Sequence, residues 1–198
     1  MLLMSDHIKM ALIDVECTCD VEKFERNQHE IIEVGAVAGI LSDSTFEVID
    51  EMQLFVRPLL FPQLSAFCIS LTGIQQAAVD EAQSLAYALP SLERWLNHNQ
   101  IRMWGSWGKF DDSQFKIECK EKAIDNPLGN IFHCNVKQVF ARKFKHRVGM
   151  GRALQLRGLE FLGRQHSGID DARNIGKLLT SEQILREAIL KKYEAHSF

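Results

Sequence analysis

Hydrophobic and polar positions alternate along this chain with two distinct periods. An apolar run from Met10 to Ile13 passes into Asp14-Val15-Glu16, which reads as a strand. Strand side chains change faces at each residue, so Asp14 and Glu16 share a side and Val15 takes the other. "IIEVGAVAGIL" and "STFEVIDEMQLFVRP" flank the polar turn "SDS" and predict an antiparallel hairpin. Helical spacing follows in "QQAAVDEAQSLAYALPSLERWLNHN", expected in two pieces with a break before Pro90. "RMWGSWG" predicts a short strand, "FDDSQFKIECKEKA" an amphipathic helix, and "NIFHCNVKQVFARKF" a strand entering a helix or loop. Two more helices are expected, over "GRALQLRGLEFL" and from about Asp170 to Ala195. Strands first, then strands alternating with helices, predict an α/β domain with a mixed sheet. No repeat or low-complexity linker divides the chain, so a single domain over 1–198 is expected.

The same periodicity singles out carboxylates. Asp111 is followed at four-residue steps by Phe115, Cys119 and Ala123, so it heads the apolar stripe of its helix, whereas Asp112 leads to Lys116 and Lys120. In the last helix Asp171 leads to Ile175 and Leu178, and Asp170 to Asn174 and Lys177. Either helical aspartate taken alone is an ordinary first-turn carboxylate favoured by the helix dipole. Together with Asp14 and Glu16 they make four inward-facing acids from three elements, an arrangement that divalent cations would explain. Carboxylate oxygens are hard ligands for Mg²⁺ or Mn²⁺, and two such ions about 3.5–4 Å apart grip a phosphodiester from both sides. His166, five residues before Asp171, would be a surface histidine in isolation. Beside a metal site it becomes a candidate base for an attacking water. His133 and His146 have no such neighbour and read as structural.

Bulk properties narrow the picture only slightly. The chain has 198 residues, 46% hydrophobic and 25% charged, with net charge −3. Those values are ordinary for a globular protein and give no global sign of a polyanion partner. Locally the balance differs: residues 137–164 carry Lys137, Arg142, Lys143, Lys145, Arg147, Arg152, Arg157 and Arg164 against the lone acid Glu160. Such a run is either a solvated face or a track for phosphates upstream of a cut. No apolar run approaches the length of a membrane span. The five cysteines are scattered without paired zinc spacing, which predicts reduced thiols and a cytoplasmic location.

"DVE" (Asp14, Glu16), "GKFDDSQF" (Asp111) and "HSGIDDARN" (His166, Asp171) resemble, in order, the three motifs of the DEDDh group of 3′–5′ exonucleases. "EIIEVGAVAGIL", "FVRP", "LSAFCISLTGI" and "VDEAQSL" further resemble its Eri-type, KapD-like subfamily. The resemblance spans about residues 10–180. It implies a ribonuclease-H-like mixed five-stranded sheet flanked by helices. It also implies two ions, Mg²⁺ or Mn²⁺, on Asp14, Glu16, Asp111 and Asp171, with Asp14 bridging, and His166 as the base. The substrate would be a single-stranded 3′ end, RNA more than DNA, and the product a nucleoside 5′-monophosphate. Phe67 and Phe110 match positions that stack on the terminal base, or else belong to the core. Thr18 is placed to contact the terminal sugar or to cap its loop. Leu71, with Thr72 and Gly73, would shape the terminal-nucleotide pocket, and Trp104 and Trp107 read as packing residues. Cys17 stands where the group often has threonine. Three other readings compete: a DNA proofreading or repair exonuclease, a ribonuclease-H-like endonuclease, and a non-catalytic nucleic-acid-binding adaptor.

Overall fold

The computed structural model describes residues 7–22, 25 and 28–197. Five strands form one sheet: β1 (Ile8–Cys17), β2 (Ile31–Leu41), β3 (Phe46–Phe55), β4 (Met103–Ser106) and β5 (Phe132–Asn135), in the order β3-β2-β1-β4-β5. β1 pairs antiparallel with β2, and β2 with β3, while β4 joins β1 in parallel and β5 joins β4 in parallel. Parallel strands need long crossovers. These are supplied by α1 (Ala66–Thr72), α2 (Gln76–Asp80) and α3 (Leu85–His98) before β4, and by α4 (Phe110–Glu121) before β5. The chain closes with α5 (Val136–Phe144), α6 (Met150–Leu156), α7 (Gly168–Ser181) and α8 (Gln183–Ser197). This is the mixed sheet expected of a ribonuclease-H-like fold. Among the described residues no helix is long and apolar enough to cross a membrane.

The period of two in β1 decides where the chemistry lies. Met10 and Leu12 pack with Phe46, Phe140, Ile175 and Leu178 under α5–α8. Ala11, Ile13 and Val15 pack with Leu89, Leu92 and Phe115 under α3 and α4. Asp14 and Glu16 continue the parity of Met10 and Leu12, so they emerge on the face that α7 covers. At that end of the strand α7 comes very close. A Cβ on Gly35 of β2 would stand 2.0 Å from the Gly168 carbonyl carbon and 2.1 Å from the Ile169 nitrogen. Only glycine at 35 lets the first turn of α7 lie flush against the sheet.

Three expected boundaries differ. The break in the 75–99 helix falls at residues 81–84, and Pro90 sits inside α3. The helix expected over 151–162 ends at Leu156, because Gly158 turns into the left-handed region (φ 70°). The long last helix is two helices parted at Glu182, whose backbone is extended. Residues 66–72, unassigned by periodicity, form α1, which Ser65 caps by accepting from Cys68 N–H at 3.0 Å. All five cysteines are free thiols.

Candidate active site

A cavity of about 1000 Å³ opens where β1, α4, α6 and α7 meet. Asp14, Glu16, Asp111, His166 and Asp171 all line it, together with Trp107, Phe110, Arg152 and Gln155. Ligand-type oxygens of Asp14, Glu16 and Asp171 lie within 4.8 Å of one another. Asp111 closes the group from the α4 side. It is 5% exposed, and one of its carboxylate oxygens accepts the Val15 N–H at 3.1 Å. That bond ties the first turn of α4 to the backbone between the two β1 acids. The neighbours behave differently. Asp112 pairs with Lys116 at 2.7 Å, and Asp170 accepts Arg164 N–H and the Arg173 guanidinium, locking the loop before α7.

Burial and mutual repulsion push these acids up. Asp14 is raised well above the usual carboxylate range by burial first, then by Asp111, Asp171 and Glu16. Glu16 rises to about 8, through burial and then the charges of Asp171 and Glu33. Asp171 rises to about 6 by burial, although the His166 N–H that it accepts pulls the other way. Burial also raises Asp111, opposed by its bond from Val15. Among the described residues no ion pair neutralises any of the four. Hard oxygen donors this close, without a protein cation to balance them, fit a divalent metal.

His166 occupies the left-handed region at φ 61° and is exposed. A non-glycine residue rarely adopts that conformation. Here it is fixed by a 2.8 Å bond from the His166 N–H to the Asp171 carboxylate.

The remaining candidates divide between the cavity and other parts of the fold. Phe110, 40% exposed, lines the cavity. Phe67 is exposed on α1, and neither it nor Leu71 lines the cavity. Thr18 is 2% exposed, and its hydroxyl accepts Glu30 N–H at 3.0 Å. Thr72 is buried, with its hydroxyl donating to Cys68 C=O, and Gly73 is the left-handed cap of α1. Trp104 is core, whereas Trp107 walls the cavity. His133, held between Ser106 and Trp104, is pushed down to about 4 by burial.

Periodicity overlooked Glu33. This β2 residue faces Glu16 across the β1–β2 ladder and is 1% exposed. Its carboxylate accepts the N–H groups of Gly168 at 3.0 Å and Ile169 at 3.2 Å, and the Gln53 amide at 2.9 Å. It therefore caps α7, which carries Asp171. The available signal was a lone carboxylate inside an eleven-residue apolar strand. A second network seats α4: Lys122 bridges Glu30 at 2.7 Å and Glu118 at 2.8 Å, and Glu118 accepts Ile31 N–H.

A family model described as "Exonuclease" (RNase_T) matches residues 11–179. The chain belongs to the exonuclease family. Within it, the chain is 31% identical over 178 residues to the mouse (Mus musculus) "3'-5' exoribonuclease 1", an alignment covering 85% of this chain and 51% of that protein. It is 32% identical to the "3'-5' exonuclease Snipper" of Drosophila melanogaster, over 90% of this chain and 70% of that one. Among solved exonuclease structures, the nuclease domain of 3'hExo, a DEDDh family member bound to rAMP, superposes with a TM-score of 0.80 at 28% identity, over 94% of both chains. The chain thus spans about half the length of its mouse relative. The family is divalent-metal dependent, in keeping with the donors of the acidic cluster.

Proposed function

We propose that this chain is a metal-dependent 3′–5′ exonuclease. It removes nucleoside 5′-monophosphates one at a time from single-stranded 3′ ends, RNA in preference to DNA. The observation that carries this reading is the convergence of Asp14, Glu16 and Asp171 within 4.8 Å, in a cavity that Asp111 and His166 also line. Asp14, Glu16, Asp111 and Asp171 would hold two ions, Mg²⁺ or Mn²⁺. Such ions, when bound, ease deprotonation of the attacking water and offset charge on the departing oxygen. A preference for RNA is supported by the mouse relative, a 3'-5' exoribonuclease, and by the rAMP bound to the 3'hExo nuclease domain.

This chain's own residues supply the rest. An imidazole nitrogen of His166 takes the proton of the water that attacks phosphorus. The new P–O bond forms from water, the P–O3′ bond breaks, and the shortened strand keeps the 3′-oxygen as a hydroxyl. The Asp171 carboxylate, by accepting the His166 N–H, keeps the base on the cavity wall. Phe110 offers a face to the terminal base, a contact that suits an enzyme accepting every base in turn.

The test is a timed digest of matched RNA and DNA strands, linear with a 5′ label and circular with an internal label, with Mg²⁺ or Mn²⁺. A ladder shortening by single nucleotides on linear strands, faster on RNA and abolished by EDTA, is expected. Cutting of circles would establish an endonuclease instead. Activity that survives excess chelator, or that is intact in Asp14→Ala, would overturn the reading.

A further inference from the structure

Beside the catalytic cavity lies a second groove of about 640 Å³, bounded by β5, α5 and the loops at 107–109 and 147. The two share Trp107 and Phe110 as a common wall. Four cations line the second groove, Lys109, Lys137, Arg142 and Arg147, and no acid does. Among the described residues none of the four is in an ion pair. Other cations of the chain are spent on the fold: Arg157 pairs with Glu182 at 2.7 Å and covers the Phe144 ring, and Arg164 reaches the carbonyls of Ser70 and Leu71. The structure thereby divides the basic run seen in the sequence. One part is structural, and another is a concave surface of unpaired charge on a chain whose net charge is −3.

We propose that this groove is the binding site for the sugar–phosphate backbone of nucleotides upstream of the one being removed. The proposal rests on the exonuclease reading for the direction of the strand, not for the binding itself. A polyanion is the ligand that gains most from several unpaired cations in one concavity, through Coulomb attraction and counterion release. Aromatic side chains at the junction favour nucleic acid over an acidic peptide, because bases stack on them as the strand passes between sites. Trp107 suits that role, since its indole N–H donates to Val148 C=O and its ring packs on Phe140. Neutral Asn135 and Gln138 on the same wall add hydrogen-bonding groups without charge repulsion.

The test compares binding of oligouridine strands of two and twelve nucleotides, each with a phosphorothioate at the 3′-terminal linkage to slow cleavage, by fluorescence anisotropy in Mg²⁺ across a salt series. The triple variant Lys137→Gln/Arg142→Gln/Arg147→Gln is set against a control of equal charge change, Arg102→Gln/Lys120→Gln/Lys191→Gln. Wild-type protein should bind the twelve-mer more tightly than the dimer. The groove variant should lose at least tenfold of that length advantage, and its log-affinity against log-salt slope should shrink by about 2, at roughly 0.7 per phosphate contact. An unchanged length advantage, an equal loss in the control, or poly-glutamate competing as well as oligouridine would each overturn the proposal. The two readings fail separately. Groove-dependent binding by a wild-type protein that cleaves nothing would sink the exonuclease reading and leave the groove standing; an active wild type whose groove variant keeps its length advantage would do the reverse.

Discussion

Glu33→Ala tests whether the active site is assembled by a helix cap. The wild-type carboxylate accepts three hydrogen bonds in a 1% exposed setting, two from the first turn of α7 and one from Gln53. Each buried donor left without a partner costs about 1–3 kcal/mol. Gln53 is exposed and regains water, so only the buried Gly168 and Ile169 donors count, and at about 1.5 kcal/mol each they sum to about 3 kcal/mol. One effect works against this: the Glu33 charge is among those that raise Asp14, Glu16 and Asp171, and its removal relieves that repulsion. Allowing about 1 kcal/mol for the relief leaves a net loss of about 2 kcal/mol. For a chain of this size that lowers Tm by about 4–8 °C. Activity should fall further than stability, because α7 carries Asp171 and through it the backbone of His166. A displacement of about 1 Å in a reacting group can cost about 100-fold, so kcat should drop at least tenfold with a smaller change in KM. Calorimetry and steady-state kinetics on a short labelled strand read the two effects. A variant with Tm within about 1 °C of wild type and kcat within about twofold would refute the claim that this carboxylate holds α7 in place.

Three further outcomes follow from the same geometry. His166→Asn should lower turnover by about 10²–10⁴-fold, the usual contribution of a general base, with Tm unchanged, since asparagine tolerates the left-handed region; a substantial fall in Tm in place of lost turnover would make the residue structural. Glu16 and Asp171, raised to about 8 and about 6, bind protons more tightly folded than unfolded, so their contribution is complete below the unfolded values and is lost as pH rises through the folded ones. Metal-free protein should therefore melt lower at pH 8.5 than at 6.5, and added Mg²⁺ should raise Tm more at 8.5, where fewer protons compete for the oxygens; a larger metal effect at 6.5 would contradict this. Lys122→Ala strands the carboxylates of Glu30 and Glu118, which are almost fully buried, and should cost about 2–3 kcal/mol; a Tm within about 2 °C of wild type would show that the triad does not brace α4.

The central sheet was legible because its strands differ in how they are buried. β1 shows its two faces through the step from Ile13 to Asp14-Val15-Glu16, and β2 reads as a continuous apolar run because it is covered on both sides. The choice of Asp111 and Asp171 over Asp112 and Asp170 followed from helical period alone, since each heads a stripe that must face the core. Helix ends were less legible. Pro90 drew attention to the wrong break, because a proline removes one hydrogen bond and α3 tolerates that loss among its buried leucines. Gly158, which does end α6, has the ordinary signature of a left-handed cap. Glu33 and the Glu30–Lys122–Glu118 triad were hidden for a different reason. Glu33 reaches Gly168 and Ile169, Glu30 reaches Lys122, and Glu118 reaches Ile31 over 87–136 residues of sequence, and no local period encodes contacts made over that distance.

Those distant contacts also explain how so many like charges persist at one strand end. The acids sit where the sheet changes from antiparallel to parallel pairing, with β2 on one side of β1 and β4 on the other. The parallel crossover after β4 brings the N-terminus of α4 to this end of the sheet, and the glycine contact between residues 35 and 168 brings the N-terminus of α7 to the same place. Asp111 and Asp171 occupy the first turns of these two helices, where the positive ends of the macrodipoles favour negative charge by about 0.3–1 kcal/mol each. That is too little to offset the burial and repulsion that together hold Glu16 near 8, so the dipoles bring the carboxylates together without neutralising them. The remaining deficit is what a divalent cation would fill. On this argument the fold keeps its acids under-compensated, and affinity for metal is set by the charge that the protein leaves unbalanced.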